Sequence, residues 1–264
     1  MAKNRDISQR AKTLLGSSTY IQKSLGTESS RKYLGDAGNR VHPAQGLDVY
    51  VLFDTTGSMR SYITIVRENV DIVNSSLLDG KNDIRISING VGDHCDGDNC
   101  LQMYALSNDP VEIRSALEKI VMTNGGDEPE MYECAALALA QRLLVESPNR
   151  KCAVVLIGDS YPHGIRDALC ERGVDYHQAF TAMKILTDSF YFVGCAQRNY
   201  SIQRELVKDN GREYFIPLGN MIDVLPELLV ALVRKTESPS ALADYLKLLE
   251  TGQASKIHGL LGNK

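Results

Sequence analysis

Two uninterrupted apolar runs, each ending at an aspartate, constrain this chain more than any other feature. Residues 49–53 (Val-Tyr-Val-Leu-Phe) lead into Asp54, and residues 152–157 (Cys-Ala-Val-Val-Leu-Ile) lead through Gly158 into Asp159. A strand with one wet face alternates apolar and polar residues. A run without polar interruptions has to be covered on both faces, which is the situation of a central strand in a parallel sheet. Between and beyond these runs the pattern switches to helix. Ile63, Val66, Val70, Val73 and Leu77 recur every three or four residues, one face of an amphipathic helix with Gly80 at its stop.

The remaining elements follow the same alternation. Ile84, Ile86 and Ile88 alternate with Arg85, Ser87 and Asn89, a strand of period two. Residues 101–106 predict a short edge strand, and residues 111–122 a helix entered at Asp109-Pro110. An Ala- and Leu-rich helix is expected over 130–145, another over 176–186, a short one over 202–208, and one over 221–235 bent at Pro226. Strands are expected at 190–193 and 214–216. Strands alternating with helices predict an α/β fold, doubly wound, with a mostly parallel central sheet and helices on both faces. Three segments are expected: a polar N-terminal extension, 1–44, with weak helical patterns at 7–15 and 20–25; the main domain, 45–236; and a C-terminal helix with a flexible tail, 237–264.

Composition narrows the function classes. With 264 residues, 43% hydrophobic and 23% charged, the chain is long enough for one large α/β core. A net charge of −4 and the lack of a basic run argue against nucleic acid as a partner. No apolar stretch approaches the length of a membrane span, and residues 1–6 do not read as a secretory signal. Six cysteines, two of them in or beside buried strands, read as reduced thiols of a cytoplasmic protein.

The chemistry is written around Asp54. Asp54, Thr56 and Ser58 occupy alternate positions, so in extended backbone their oxygens face one point, with Gly57 permitting the tight turn. A doubly wound sheet binds ligands outside the carboxyl ends of its strands. If the strands ending at Asp54 and Asp159 are neighbours, their loops meet there with the cluster Gly125-Gly126-Asp127-Glu128-Pro129-Glu130. Two carboxylates about 4 Å apart repel by roughly 4 kcal/mol at an effective dielectric of about 20, so such a gathering calls for a cation. Hydroxyl and carboxylate oxygens suit Mg²⁺, Mn²⁺ or Ca²⁺.

With these residues in view, the sequence resembles the von Willebrand factor type A family, over roughly residues 45–235. Asp54-Thr55-Thr56-Gly57-Ser58-Met59 looks like that family's Asp-x-Ser/Thr-x-Ser motif, and Asp159 stands where the family has its later aspartate. The loop that usually supplies a threonine reads Gly-Gly-Asp-Glu-Pro-Glu, with Thr123 the nearest threonine. This variant is similar to the family's intracellular branch, including domains attached to atypical α-kinases. The resemblance implies a metal-ion-dependent adhesion site built by Asp54, Thr56, Ser58 and Asp159, with Asp127 or Glu128 in the divergent loop. It implies an adaptor or scaffold, not an enzyme, whose metal captures an acidic residue of a protein partner. Such partners include AAA-type ATPases, kinases and scaffold subunits. An acid in place of threonine would tighten the metal and weaken its pull on an incoming carboxylate.

Other readings compete. A phosphohydrolase of the haloacid dehalogenase type would need a second aspartate where Thr56 stands. A structural subunit with a vestigial site is the third possibility. Asp127 also suits a helix cap near Pro129, and His163 reads as an exposed loop histidine. His94, Cys95 and Cys100 hint at zinc but lack a second Cys or His pair nearby, so the segment reads as a solvated acidic loop.

Overall fold

A computed structural model of the chain describes residues 46–78, 83–147, 150–166, 169–208 and 211–262. The N-terminal extension, including the helical patterns at 7–15 and 20–25, lies outside the described residues, as does Gly80. The elements in order are β1 (Leu47–Asp54), α1 (Arg60–Glu68), α2 (Val70–Leu77), β2 (Ile84–Val91), β3 (Leu101–Met103), α3 (Pro110–Lys119), α4 (Tyr132–Glu146), β4 (Lys151–Gly158), α5 (Tyr176–Leu186), β5 (Ser189–Gly194), α6 (Tyr200–Glu205), β6 (Glu213–Pro217), α7 (Leu225–Glu237), α8 (Pro239–Leu248) and α9 (Thr251–Gly262).

The six strands form one sheet in the order β3-β2-β1-β4-β5-β6. Every pairing is parallel except the short edge strand β3, which runs antiparallel to β2. The sheet is therefore doubly wound, as the alternation of patterns predicts, and its winding reverses between β1 and β4. Strand pleating sorts the first apolar run onto two cores. Val49, Val51 and Phe53 pack with Ile63, Val73, Leu117 and the apolar face of α7; Tyr50 and Leu52 pack on the other face with Leu143 of α4 and Phe180 of α5.

Several local details depart from the sequence reading. The expected single helix through residues 63–77 is two helices, because the backbone leaves helical geometry at Asn69, whose side-chain amide donates to the Ile65 carbonyl at 2.8 Å. Pro226 does not bend a helix; it lies in the first turn of α7, where its missing N–H costs nothing. Residues 251–262 form α9, not a tail, and bury Ile257 and Leu260 against the first core. The cap at Asp109 holds, its carboxylate accepting the Val111 N–H at 2.8 Å. No described helix is long and apolar enough to cross a membrane.

The amino end of β1 shows how this fold treats a buried acid that needs a counter-charge. Asp48, fully buried, accepts from Arg85 at 2.8 and 2.6 Å, from Arg150 Nε at 2.6 Å and from the Ser147 hydroxyl at 2.5 Å. Such pairs hold position when every lone pair is engaged.

Candidate functional site

Asp54 and Gly158 end neighbouring strands at the winding reversal, so their loops share one side of the sheet. An open crevice of about 570 Å³ lies there, lined by Thr56, Ser58, Asp127, Glu130, Asp159 and Arg198 among others. Asp54 does not line the crevice itself but is bonded to the lining residue Thr56. It is fully buried, and its Oδ1 accepts from the backbone N–H of Thr56 at 2.9 Å and from the Thr56 hydroxyl at 2.6 Å. Its Oδ2 accepts from the Tyr132 hydroxyl. Gly158 makes the last bond possible: a Cβ there would lie 2.9 Å from Tyr132 Cζ and collide with its hydroxyl. Asp159 is 9% exposed; its carbonyl accepts from the Asn199 amide at 2.8 Å.

The third acid is one that sequence reasoning passed over. Asp127 stands at the rim with its side chain 54% exposed, its Oδ1 3.7 Å from His163 Nε2. It caps no helix, since α4 begins at Tyr132 with Met131 as N-cap and no side-chain cap bond. Glu128 also stays at the rim, where Arg198 Nε lies 3.6 Å from it. Glu130, only 5% exposed, lines the crevice with Asp159 and feels the charges of Asp54 and Asp159, and its Oε2 has no hydrogen-bond partner among the described residues. A bridge between Glu130 and Pro162 fixes its backbone, with the Glu130 N–H donating to the Tyr161 carbonyl at 2.9 Å. Thr123 does not substitute for the missing threonine: it is tied to Thr55, hydroxyl to hydroxyl at 3.2 Å.

The loop around Gly125 is shaped for close approach. Gly125 has φ +68°, and a Cβ would sit 3.2 Å from Thr56 Cγ2 and 3.3 Å from Glu130 Oε1. The loop is held from below by Asp96, whose Oδ1 accepts the N–H groups of Asn124 and Gly125 at 3.3 and 3.2 Å. The acidic insertion is solvated along its outer side, where Cys95, Gly97, Asp98 and Asn99 are exposed, but it is not irregular. It is a 3₁₀ segment, His94–Asn99, with Asp93 and the His94 side chain buried. His163 is buried as well, its backbone N–H donating to Glu133 Oε2 at 3.1 Å.

Electrostatically the crevice is the reverse of the Asp48 site. No described Lys, Arg or His forms an ion pair with Asp54, Glu130 or Asp159. Burial, and then the other carboxylates, push the Asp54 carboxyl up to about 6 and that of Glu130 up to about 10. The hydrogen bonds from Thr56 and Tyr132 pull Asp54 the other way. Tyr132→Phe is therefore expected to raise the Asp54 pKa further. Losing a bond to a charged group should cost about 1–3 kcal/mol in urea unfolding at pH 8. An unchanged unfolding midpoint would show that the bond contributes nothing.

No family model matches this chain, and no curated protein matches it.

Proposed function

We propose that this protein binds Mg²⁺ or Mn²⁺ in the crevice at the ends of β1 and β4, and uses the ion to hold an acidic group of a protein partner. One observation carries the reading: Glu130 and Asp159 line the crevice with Thr56 and Ser58, the buried Asp54 is hydrogen-bonded to Thr56, and no described cation pairs with these acids. The same fold supplies two arginines to Asp48, so the acids at the other end of the strand stand out. The donor set fits a hard divalent ion. It consists of oxygen atoms only, one carboxylate oxygen has no other partner, and Gly125 leaves the space open.

In this reading Thr56 and Ser58 offer hydroxyl oxygens, Asp54 fixes Thr56 and supplies charge from below, and Asp159 and Glu130 flank the ion. Glu130, not Asp127 or Glu128, fills the role of the divergent loop. The bound ion provides a Lewis-acidic position toward the solvent side of the crevice. Arg198, with its side chain 69% exposed at the rim, adds a positive charge for an acidic partner. The arrangement supports the resemblance to von Willebrand factor type A domains and an adaptor role without bond chemistry.

The test uses the full chain immobilised in Mg²⁺-containing buffer. Partners from lysate are expected to be retained with Mg²⁺, released when it is withdrawn, and missed by a Thr56→Val column, which keeps the shape but removes the hydroxyl. Retention that ignores both changes would defeat the reading. A second reading, metal-dependent hydrolysis, draws on Glu130, a buried carboxyl in the same crevice whose pKa burial raises. Turnover of generic phosphoesters with Mn²⁺, lost in Asp54→Asn, would replace the adaptor by an enzyme.

A further inference from the structure

Behind the crevice, on the α4 side of the sheet, four side chains from three distant parts of the chain meet. His94 comes from the 3₁₀ segment after β2, Glu133 and Cys134 from the first turn of α4, and Cys170 from the β4–α5 connection. His94 Nε2 lies 3.2 Å from Glu133 Oε1 and 3.4 Å from Cys170 Sγ, and Cys170 Sγ lies 3.6 Å from Cys134 Sγ. All four ligand atoms fall within 4.8 Å of one another. A tetrahedral Zn²⁺ with bonds of about 2.0–2.3 Å sets its ligand atoms about 3.3–3.8 Å apart. Two of the three edges above, 3.4 and 3.6 Å, fall in that range, and the nitrogen–oxygen edge at 3.2 Å lies at its short end, as the shorter bonds to nitrogen and oxygen require.

The chemistry agrees with the spacing. Two thiolates and an imidazole outweigh the one hard carboxylate, and such a set selects zinc over the hard ions suited to the crevice. All four side chains are withdrawn from water: Glu133 is fully buried, the His94 side chain is 3% exposed, and Cys134 and Cys170 are 3% and 8% exposed. The second oxygen of Glu133 is already held by the His163 N–H, which leaves Oε1 to face the ion.

We propose that His94, Glu133, Cys134 and Cys170 form a structural Zn²⁺ site, closed by four protein ligands. The ion clamps the 94–99 segment and the β4–α5 connection onto the start of α4. Through Asp96 the first of these also holds the Gly125 loop of the crevice. The site is independent of the proposed Mg²⁺ chemistry and stands if that reading fails.

Protein purified without chelators under reducing conditions is expected to carry about one zinc per chain, released by a mercurial reagent. The Co²⁺-loaded protein should show the near-ultraviolet thiolate-to-cobalt band and the visible d–d bands of a tetrahedral ion. Cys134→Ser and Cys170→Ser should lower zinc content at least tenfold and weaken the charge-transfer band. Cys95→Ser and Cys100→Ser, which change thiols outside the cluster, should retain both, as should Asp54→Asn, which separates this site from the crevice. Wild-type protein with neither zinc nor a cobalt charge-transfer band would overturn the proposal even if the serine variants fail to fold. A Cys134–Cys170 disulfide in the reduced preparation would overturn it too.

Discussion

Asp54→Asn is expected to weaken Mg²⁺ and Mn²⁺ binding by about 100-fold or more while leaving the fold in place, with Asp54→Ala losing binding altogether. Affinity for a hard ion follows ligand charge and the rigidity of the site, and Asp54 governs both. It places a carboxylate directly behind Thr56, and it orients Thr56 through two bonds at 2.9 and 2.6 Å. Partners that orient a metal ligand commonly change affinity by about 10–100-fold even without touching the ion. Asparagine keeps an acceptor for Thr56, so the variant isolates the charge. The fold should survive because no protein cation would be left unpaired, unlike the arginines that removal of Asp48 would strand. Titration calorimetry with Mn²⁺, alongside circular dichroism, decides the matter; unchanged affinity in a folded variant would refute the site.

The second large effect is on stability, and its sign depends on metal. In metal-free protein the carboxyls of Asp54 and Glu130 are raised to about 6 and about 10, chiefly by burial. A raised carboxyl holds a proton in the folded state that the unfolded chain has already released. Its contribution to stability is therefore complete below about pH 4 and is lost as pH rises, through 6 for Asp54 and toward 10 for Glu130. Protein freed of Mg²⁺ by gel filtration should melt on the order of 10 °C lower at pH 8 than at pH 5. Added Mg²⁺ should recover most of that loss at pH 8 and change little at pH 5, because the ion binds ionised carboxylates and competes with protons. Glu130→Gln should raise the metal-free melting temperature at pH 8 and flatten the profile. A melting temperature indifferent to pH, Mg²⁺ and Glu130→Gln together would mean that the acids are not gathered as described.

These expectations rest on features that differ in how far they could be read from the chain. Asp54 and Thr56 are separated by one residue of extended backbone, which brings their side chains together, whereas Ser58 falls in the 3₁₀ turn Gly57–Met59 and is exposed. Asp159 follows from a second apolar run of the same kind. By contrast, the choice among Asp127, Glu128 and Glu130 depends on a bridge to Pro162, which no local pattern specifies. The break at Asn69 was hidden because the apolar spacing of three and four continues across it.

What the chain determined by itself is therefore what depends on local backbone geometry: alternating strands and helices, a doubly wound sheet, and a carboxylate with two hydroxyls at the end of its first strand. Tertiary structure alone decided which distant groups meet. It buried Glu130 beside Asp54 while turning Asp127 toward His163, and it brought His94 to Cys170 across 76 residues and Cys134 to Cys170 across 36. The physical reason is that periodicity reports which face of an element is buried, whereas convergence of side chains from separate loops depends on strand order and on how each loop closes.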